Sequence, residues 1–253
     1  MRILRKLIVF IGLILLILSV VAWQTPASWI AKFSAFPGKE LSYARMTGTF
    51  WKGEAEQVEY RDLMLGDVKW DFKTFNQLNP LTTTWVIDAK GIDYNLNMFL
   101  DTESRRVHGL RLVQGQIPAG WVDLSKIAPL VFLSGTFNLD LDHASPSRNL
   151  SNLATGIIYW TNAGLNGLVE ESLGTVTINL RSENRFTIAN IQSDPEADLK
   201  LDGEVRFNSN QYFTELTLRA AEEKQYVIEQ LADLGAINED GSLDIDQSGR
   251  MPR

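Results

Sequence analysis

Beyond residue 40 the chain repeats with a period of two, and that alternation limits the fold more than any other feature. From Asp198 to Phe207, Leu199, Leu201, Val205 and Phe207 fall on one side, while Asp198, Lys200, Asp202, Glu204 and Arg206 fall on the other. A strand with this pattern has one dry face and one wet face. The pattern returns in Val68/Trp70/Phe72 against Lys69/Asp71/Lys73, in Ile92/Tyr94/Leu96/Met98 against Asp93/Asn95/Asn97, and in Phe137/Leu139/Leu141 against Asn138/Asp140/Asp142. Parallel sheets are covered on both faces and read as continuous apolar runs, so these strands are expected to be antiparallel. Leu65-Gly66-Asp67, Lys90-Gly91, Asn208-Ser209-Asn210 and Asp240-Gly241-Ser242 supply turns, which gives a meander of about a dozen strands between residues 41 and 249.

One late segment departs from this period. Val227, Ile228, Leu231 and Leu234 recur at helical spacing, Glu222 and Glu223 stand in the first turn, and Gly235 follows as a stop. The spacing predicts an amphipathic helix of about four turns over 221–234. One helix cannot cover the shared apolar face of so many strands, so the sheet is expected to be elongated and curled. A Ser/Pro/Asn-rich stretch at 143–151 marks a candidate subdivision, and Trp121 to Ala128 a short helix.

Ahead of this body stands Leu7 to Trp23, seventeen residues without a charge, preceded by Arg2, Arg5 and Lys6. The run is long enough to cross a bilayer as a helix, with Trp23 and Trp29 at its far edge as interfacial anchors. A cleaved secretory signal ending near Val20-Val21-Ala22 has the same basic start and apolar run. Both readings export the rest of the polypeptide. The retained-anchor reading leaves residues 1–6 in the cytoplasm, 7–23 in the inner membrane as a single pass and 24–39 as an interfacial linker. Residues 40–253 then form a β-rich domain, periplasmic in a Gram-negative cell. Within the linker, Thr25 is placed to cap a short helix that begins at Pro26.

Charge and composition narrow the function. Setting aside Arg2, Arg5 and Lys6, 21 basic residues face 31 acidic ones, a net charge of −10 for residues 7–253. A body so acidic repels polyphosphate, which argues against nucleic acid as a partner. There is no cysteine, hence no disulfide, thiolate metal site or cysteine nucleophile. His108 and His143 stand in no metal-binding spacing, the acid pairs Asp140/Asp142 and Asp244/Asp246 read as solvated strand faces, and Asn238 to Ser242 reads as a polar turn instead of a calcium loop. No phosphate-cradling loop or nucleophile elbow occurs. The sequence therefore predicts no catalytic residue, no metal and no cofactor. The aromatic residues Trp51, Trp70, Trp85, Trp121 and Trp160 lie in or beside expected strands, as core or as the lining of an apolar trough.

Met46-Thr47-Gly48-Thr49-Phe50-Trp51-Lys52-Gly53 resembles the G-T-x-W-x-G signature of the type II secretion system protein N family. Val68 to Phe72, with Trp70, is similar to that family's following tryptophan strand, and Gly156 to Trp160 to its central G-x-x-x-W strand. Gly203 falls in a segment similar to its late hairpin, and Leu231-Ala232-Asp233-Leu234-Gly235 to its L-x-x-L-G ending. The stretch from Thr102 to Leu130 matches nothing in the pattern. The resemblance implies a non-enzymatic, inner-membrane accessory subunit of the machinery that exports folded proteins, with other secretion subunits as partners. The body also loosely resembles larger AsmA-like β proteins, which implies lipid binding or transfer as the alternative. Independently of the family, Gly48 and Gly53 flank an aromatic pair, where a missing side chain permits either a bulge and close backbone approach or an ordinary strand end.

Overall fold

A computed structural model describes residues 24–29, 41–60, 63–75, 82–103, 106–122, 131–145, 153–167 and 170–250. The chain forms two compact units, one containing described residues up to Thr74 together with Trp85–Ile92, the other containing Phe75–Thr84 and everything from Asp93.

The first unit holds β1 (Leu41–Ser42), β2 (Arg45–Gly48), β3 (Lys52–Tyr60), most of β4 (Leu63–Phe75) and, from Trp85, β5 (Thr82–Lys90). Its strand order is β1-β3-β4-β5, with β2 also pairing β3. The wet face carries Lys52, Glu54 and Lys69, which make loose ion pairs such as Lys52 to Asp71 at 3.5 Å and Lys69 to Glu54 at 3.7 Å. Leu65-Gly66-Asp67 is not the expected turn. It lies inside β4, where the register with β3 shifts around Gln57 at φ +52° and Gly66 at φ +54°. The Asp67 carboxylate accepts the Gln57 backbone N–H at 3.3 Å, so the glycine opens a bulge and does not reverse the strand direction.

The second unit runs β6 (Asn95–Glu103), β7 (Arg106–Pro118), β8 (Val131–Ala144), β9 (Ala154–Gly167), β10 (Glu171–Glu183) and β11 (Phe186–Ser193). It continues with β12 (Leu199–Phe207), β13 (Gln211–Ala220), β14 (Ala236–Ile237) and β15 (Leu243–Arg250). From β6 to β13 every strand pairs with its sequence neighbour, and β15 then joins β13 with β14 outside it, so the sheet is antiparallel and open. Fifteen strands among the described residues exceed the dozen expected, because 41–48 adds two short ones and 236–237 a third. Ile92 departs from its expected strand face: it is fully exposed, in the turn before β6. His143 and Ala144 pair with Thr155 and Ala154, inside the β8–β9 hairpin.

The predicted four-turn helix is broken. Glu222–Lys224 form a 3-10 turn, α1 (Gln225–Gln230) is six residues, and Ala232–Leu234 form a second 3-10 turn. Ala221 offers no capping side chain, and Leu231 leaves helical geometry at ψ 6°. The apolar spacing nonetheless does its packing work. Val227 and Ile228 are fully buried and Leu231 nearly so, against Leu173, Val176, Leu199, Leu218 and Leu243 from the strands. Each such side chain contributes about 1.5–3 kcal/mol by leaving water. Gly235 is not a helix stop in the left-handed region. Its backbone is extended, and a Cβ there would stand 1.9 Å from the Asp244 carbonyl oxygen, so the glycine is required by strand contact.

Near the middle, Ala119–Trp121 form a 3-10 turn, while residues 123–128 of the expected helix lie outside the described residues. Of the linker, Ala27–Trp29 are helical, with Ala27 buried and Trp29 exposed. The apolar run 7–23 lies outside the described residues, among which no helix is long and apolar enough to cross a membrane.

Candidate functional site

In the first unit the signature residues converge. β2 and β3 are joined by Thr49-Phe50-Trp51, closed by the Thr49 N–H donating to the Lys52 carbonyl at 2.8 Å and the Lys52 N–H donating to the Thr49 hydroxyl at 3.2 Å. Gly48 enters this loop at φ +85°, where a Cβ would meet the Lys52 carbonyl oxygen at 2.5 Å. Gly53 leaves it pressed beneath Trp70, whose ring carbon lies 2.4 Å from a Cβ built there. The Trp70 indole N–H is shared between the Thr49 and Phe50 carbonyls at 3.2 and 3.0 Å. One tryptophan thus fixes the loop by packing and by hydrogen bonding, which no smaller side chain at 70 combined with a larger one at 53 would allow.

The loop presents two rings to two more. Trp51 and Trp85 are parallel within 3° at 6.2 Å, and Phe50 and Phe72 each stand edge-on to both, with centroids 5.0–5.2 Å apart. Alternating edge-to-face contacts satisfy the ring quadrupoles all round the group of four. The Phe72 N–H donates to the Trp51 carbonyl at 2.7 Å, which ties loop to β4. Next to it, hydrogen bonding from Lys73 holds the Asp71 carboxyl below its ordinary range, with Lys52 adding to the effect.

The same loop grips the linker. The Phe50 N–H donates to the Thr25 carbonyl at 3.1 Å, and Pro26 bridges antiparallel to Thr49. The segment that directly follows residue 23 is therefore hydrogen-bonded to the signature loop.

In the second unit the remaining singled-out residues do not gather into one site; each secures a strand contact of its own. Trp160 is buried beside Phe137 and donates its indole N–H to the Ser134 carbonyl at 2.7 Å. Gly156 and Gly203, at φ +136° and +143°, lie so close to β8 and β13 that a Cβ would meet a carbonyl oxygen at 2.4 and 2.2 Å. The Leu234 carbonyl accepts the Gln247 side-chain N–H at 3.1 Å, and Gly235 lies against Asp244.

Sequence reasoning missed the group that pins the helical segment. Glu171 on β10 is nearly buried, accepts the Lys224 ammonium at 2.7 Å and the Tyr226 hydroxyl, and so reaches across more than fifty residues of sequence. Hydrogen bonding to Lys224, then to Tyr226, draws the Glu171 carboxyl below its ordinary range, and Glu171 in turn raises Lys224 and Tyr226. Among the described residues no three histidine, aspartate or glutamate side chains are grouped to hold a metal. The arrangement is one of backbone pairing, aromatic packing and charge pairs.

A family model for type II secretion system protein N matches residues 39–246. The chain belongs to that family. The match spans the residues of the signature loop, most of both compact units and the helical segment. No curated protein and no solved structure matches it. Membership places it among accessory components of type II secretion, a family tied to protein transport and the cell envelope.

Proposed function

We propose that this chain is an inner-membrane-anchored, periplasm-facing accessory subunit of the type II secretion system that acts by protein–protein contact, without catalysing a reaction. The family match over 39–246 carries the reading. Three features support it. The basic start and apolar run before Trp23 suit a single-pass anchor with a cytoplasmic N-terminus. The signature loop is hydrogen-bonded to Thr25 and bridges Pro26, the residues that follow that apolar run, which ties the loop to the chain next to the proposed anchor. An open antiparallel sheet ends in strands whose backbone groups are available to a partner strand.

Deleting the gene from the source organism should lower export of type II substrates to the medium, and the full-length protein should restore it. Crosslinking in intact cells should recover secretion-system subunits. Unchanged export in the deletion strain would sink the proposal. Stoichiometric phospholipid on the purified protein, with no secretion subunit among the crosslinked partners, would replace it with the lipid-handling reading.

A further inference from the structure

The four-ring group and the linker meet at one end of the first unit. Phe50 and Trp51 are consecutive in the loop between β2 and β3, where a tight connection is ordinarily polar, and Phe72 and Trp85 reach them from β4 and β5. All four side chains are only half-buried, so part of each stays at the surface. Trp29, in the helical turn Ala27–Trp29, is 61% exposed.

The covalent chain limits how far this group can stand from the apolar run. The Phe50 N–H donates to the Thr25 carbonyl at 3.1 Å, and Pro26 bridges to Thr49. Thr25 is two residues from Trp23, the end of the uncharged run. Two residues of extended chain span at most about 7 Å, so the Phe50 nitrogen lies within about 13 Å of the Trp23 Cα whatever path the chain takes. The headgroup layer on each side of a bilayer is itself about 5–8 Å deep, and the rings reach beyond their own backbone.

Charge at the same end suits that depth. Lys52 and Lys73 share the one Asp71 carboxylate, at 3.5 and 2.9 Å, and both lysine side chains keep much of their surface in water. Aromatic rings with lysine beside them are the composition that holds a polypeptide at the bilayer boundary: the rings enter the boundary, and the ammonium groups stay with phosphate.

We propose that the four-ring group and Trp29 form a membrane-interface site, seated in the headgroup layer of the bilayer that the apolar run enters, with Lys52 and Lys73 toward lipid phosphate. The inference rests on the anchor reading above and adds a second, shallow attachment to it, which fixes the end of the first unit that meets lipid. Seating of this kind uses the apolar ring and the indole N–H together and takes no lipid out of the bilayer. It is therefore distinct from carrying acyl chains.

The chain has no cysteine, so one nitroxide label can be placed at will. Thr47 is exposed in β2, one residue before Gly48, at the ring end of the unit. Ile92, fully exposed, stands at the other end: it follows the Lys90 whose carbonyl lies against Gly66, and Gly66 pairs with Val58, five residues along β3 from Gly53. The full-length protein carrying the label at Thr47→Cys or at Ile92→Cys is reconstituted in vesicles of phosphatidylethanolamine and phosphatidylglycerol. Collision with a water-soluble nickel chelate should be at least threefold lower at 47 than at 92, and collision with oxygen higher at 47. A loop merely tethered near the bilayer leaves both labels equally open to nickel. That result would overturn the proposal, as would protection of 92 in place of 47. Alkaline carbonate extraction separates the site from the anchor: release of the protein would overturn both, whereas retention with 47 open to nickel would overturn the interface site alone. Should Thr47→Cys fail to fold, Lys52→Cys, on the other side of the loop, reads the same depth.

Discussion

Gly203→Ala should destabilise the second unit without touching any exposed surface. Gly203 sits in β12 opposite Ile191 on β11 and Leu216 on β13, at φ +143°. The added methyl would stand 2.2 Å from the Glu215 carbonyl oxygen and 2.8 Å from the Leu216 Cα, so β12 and β13 must part by roughly 1 Å to reach ordinary contact. Forcing a side chain into that backbone region costs about 1–3 kcal/mol. Overpacking adds about 1–3 kcal/mol, and the lower entropy of alanine in the unfolded state returns about 0.4–1 kcal/mol. A net loss of about 3 kcal/mol lowers Tm by about 6–12 °C in a unit of this size. Circular dichroism on heating measures it, with Gly120→Ala as control. At Gly120 the new methyl meets only the Leu133 carbonyl oxygen at 3.5 Å, and its φ is unremarkable for an L residue, so that variant should stay within about 2 °C of the parent. Equal melting of G203A and the parent, or an equal drop in G120A, would refute the close-approach account.

Leu218→Ala, at a fully enclosed position between β12 and β15, should cost about 2–5 kcal/mol in urea unfolding, whereas Phe132→Ala, at a largely exposed one, should change stability by less than about 0.5 kcal/mol. Trp70→Phe removes the indole donor from Thr49 and Phe50 and should cost about 1–2 kcal/mol, read from the fluorescence of the remaining tryptophans during unfolding. Acidification tests Glu171. Its carboxyl is lowered on folding by Lys224 and then Tyr226, so its contribution is present above the ordinary glutamate range and is lost as pH falls below it. Glu171→Gln should therefore flatten the fall of Tm with acid, and an unchanged pH slope would remove Glu171 from the account. The raised Lys224 acts in the opposite sense, helping below the ordinary lysine range and fading as pH rises through its folded value.

Strand identity was legible where apolar and polar residues alternate, as in β12, because a strand turns successive side chains to opposite faces. It misled at Ile92, where the same alternation runs on into a turn. A glycine flanked by polar residues reads alike as turn or bulge. At Gly66 the difference lies in Gln57 on the neighbouring strand, which local sequence does not contain. Helical spacing identified the buried positions Val227, Ile228 and Leu231 but not the helix length, which caps decide. In the signature, the glycines and tryptophans stood close enough in sequence to expect one cluster, and Trp70 completes it from the next strand. The Glu171–Lys224–Tyr226 group left no trace in the sequence, since its members are joined only by the return of the backbone.

Because each strand from β6 to β13 lies against the one made just before it, every hydrogen-bonded rung closes a short loop. A polypeptide delivered N-terminus first can zip up rung by rung as it emerges, without waiting for distant sequence. The last steps are different. β15 must insert between β13 and β14, so completion of that end awaits the final residues. Nascent polypeptides arrested after Ala220 should already protect β6–β12 from protease while leaving β13 open to cleavage.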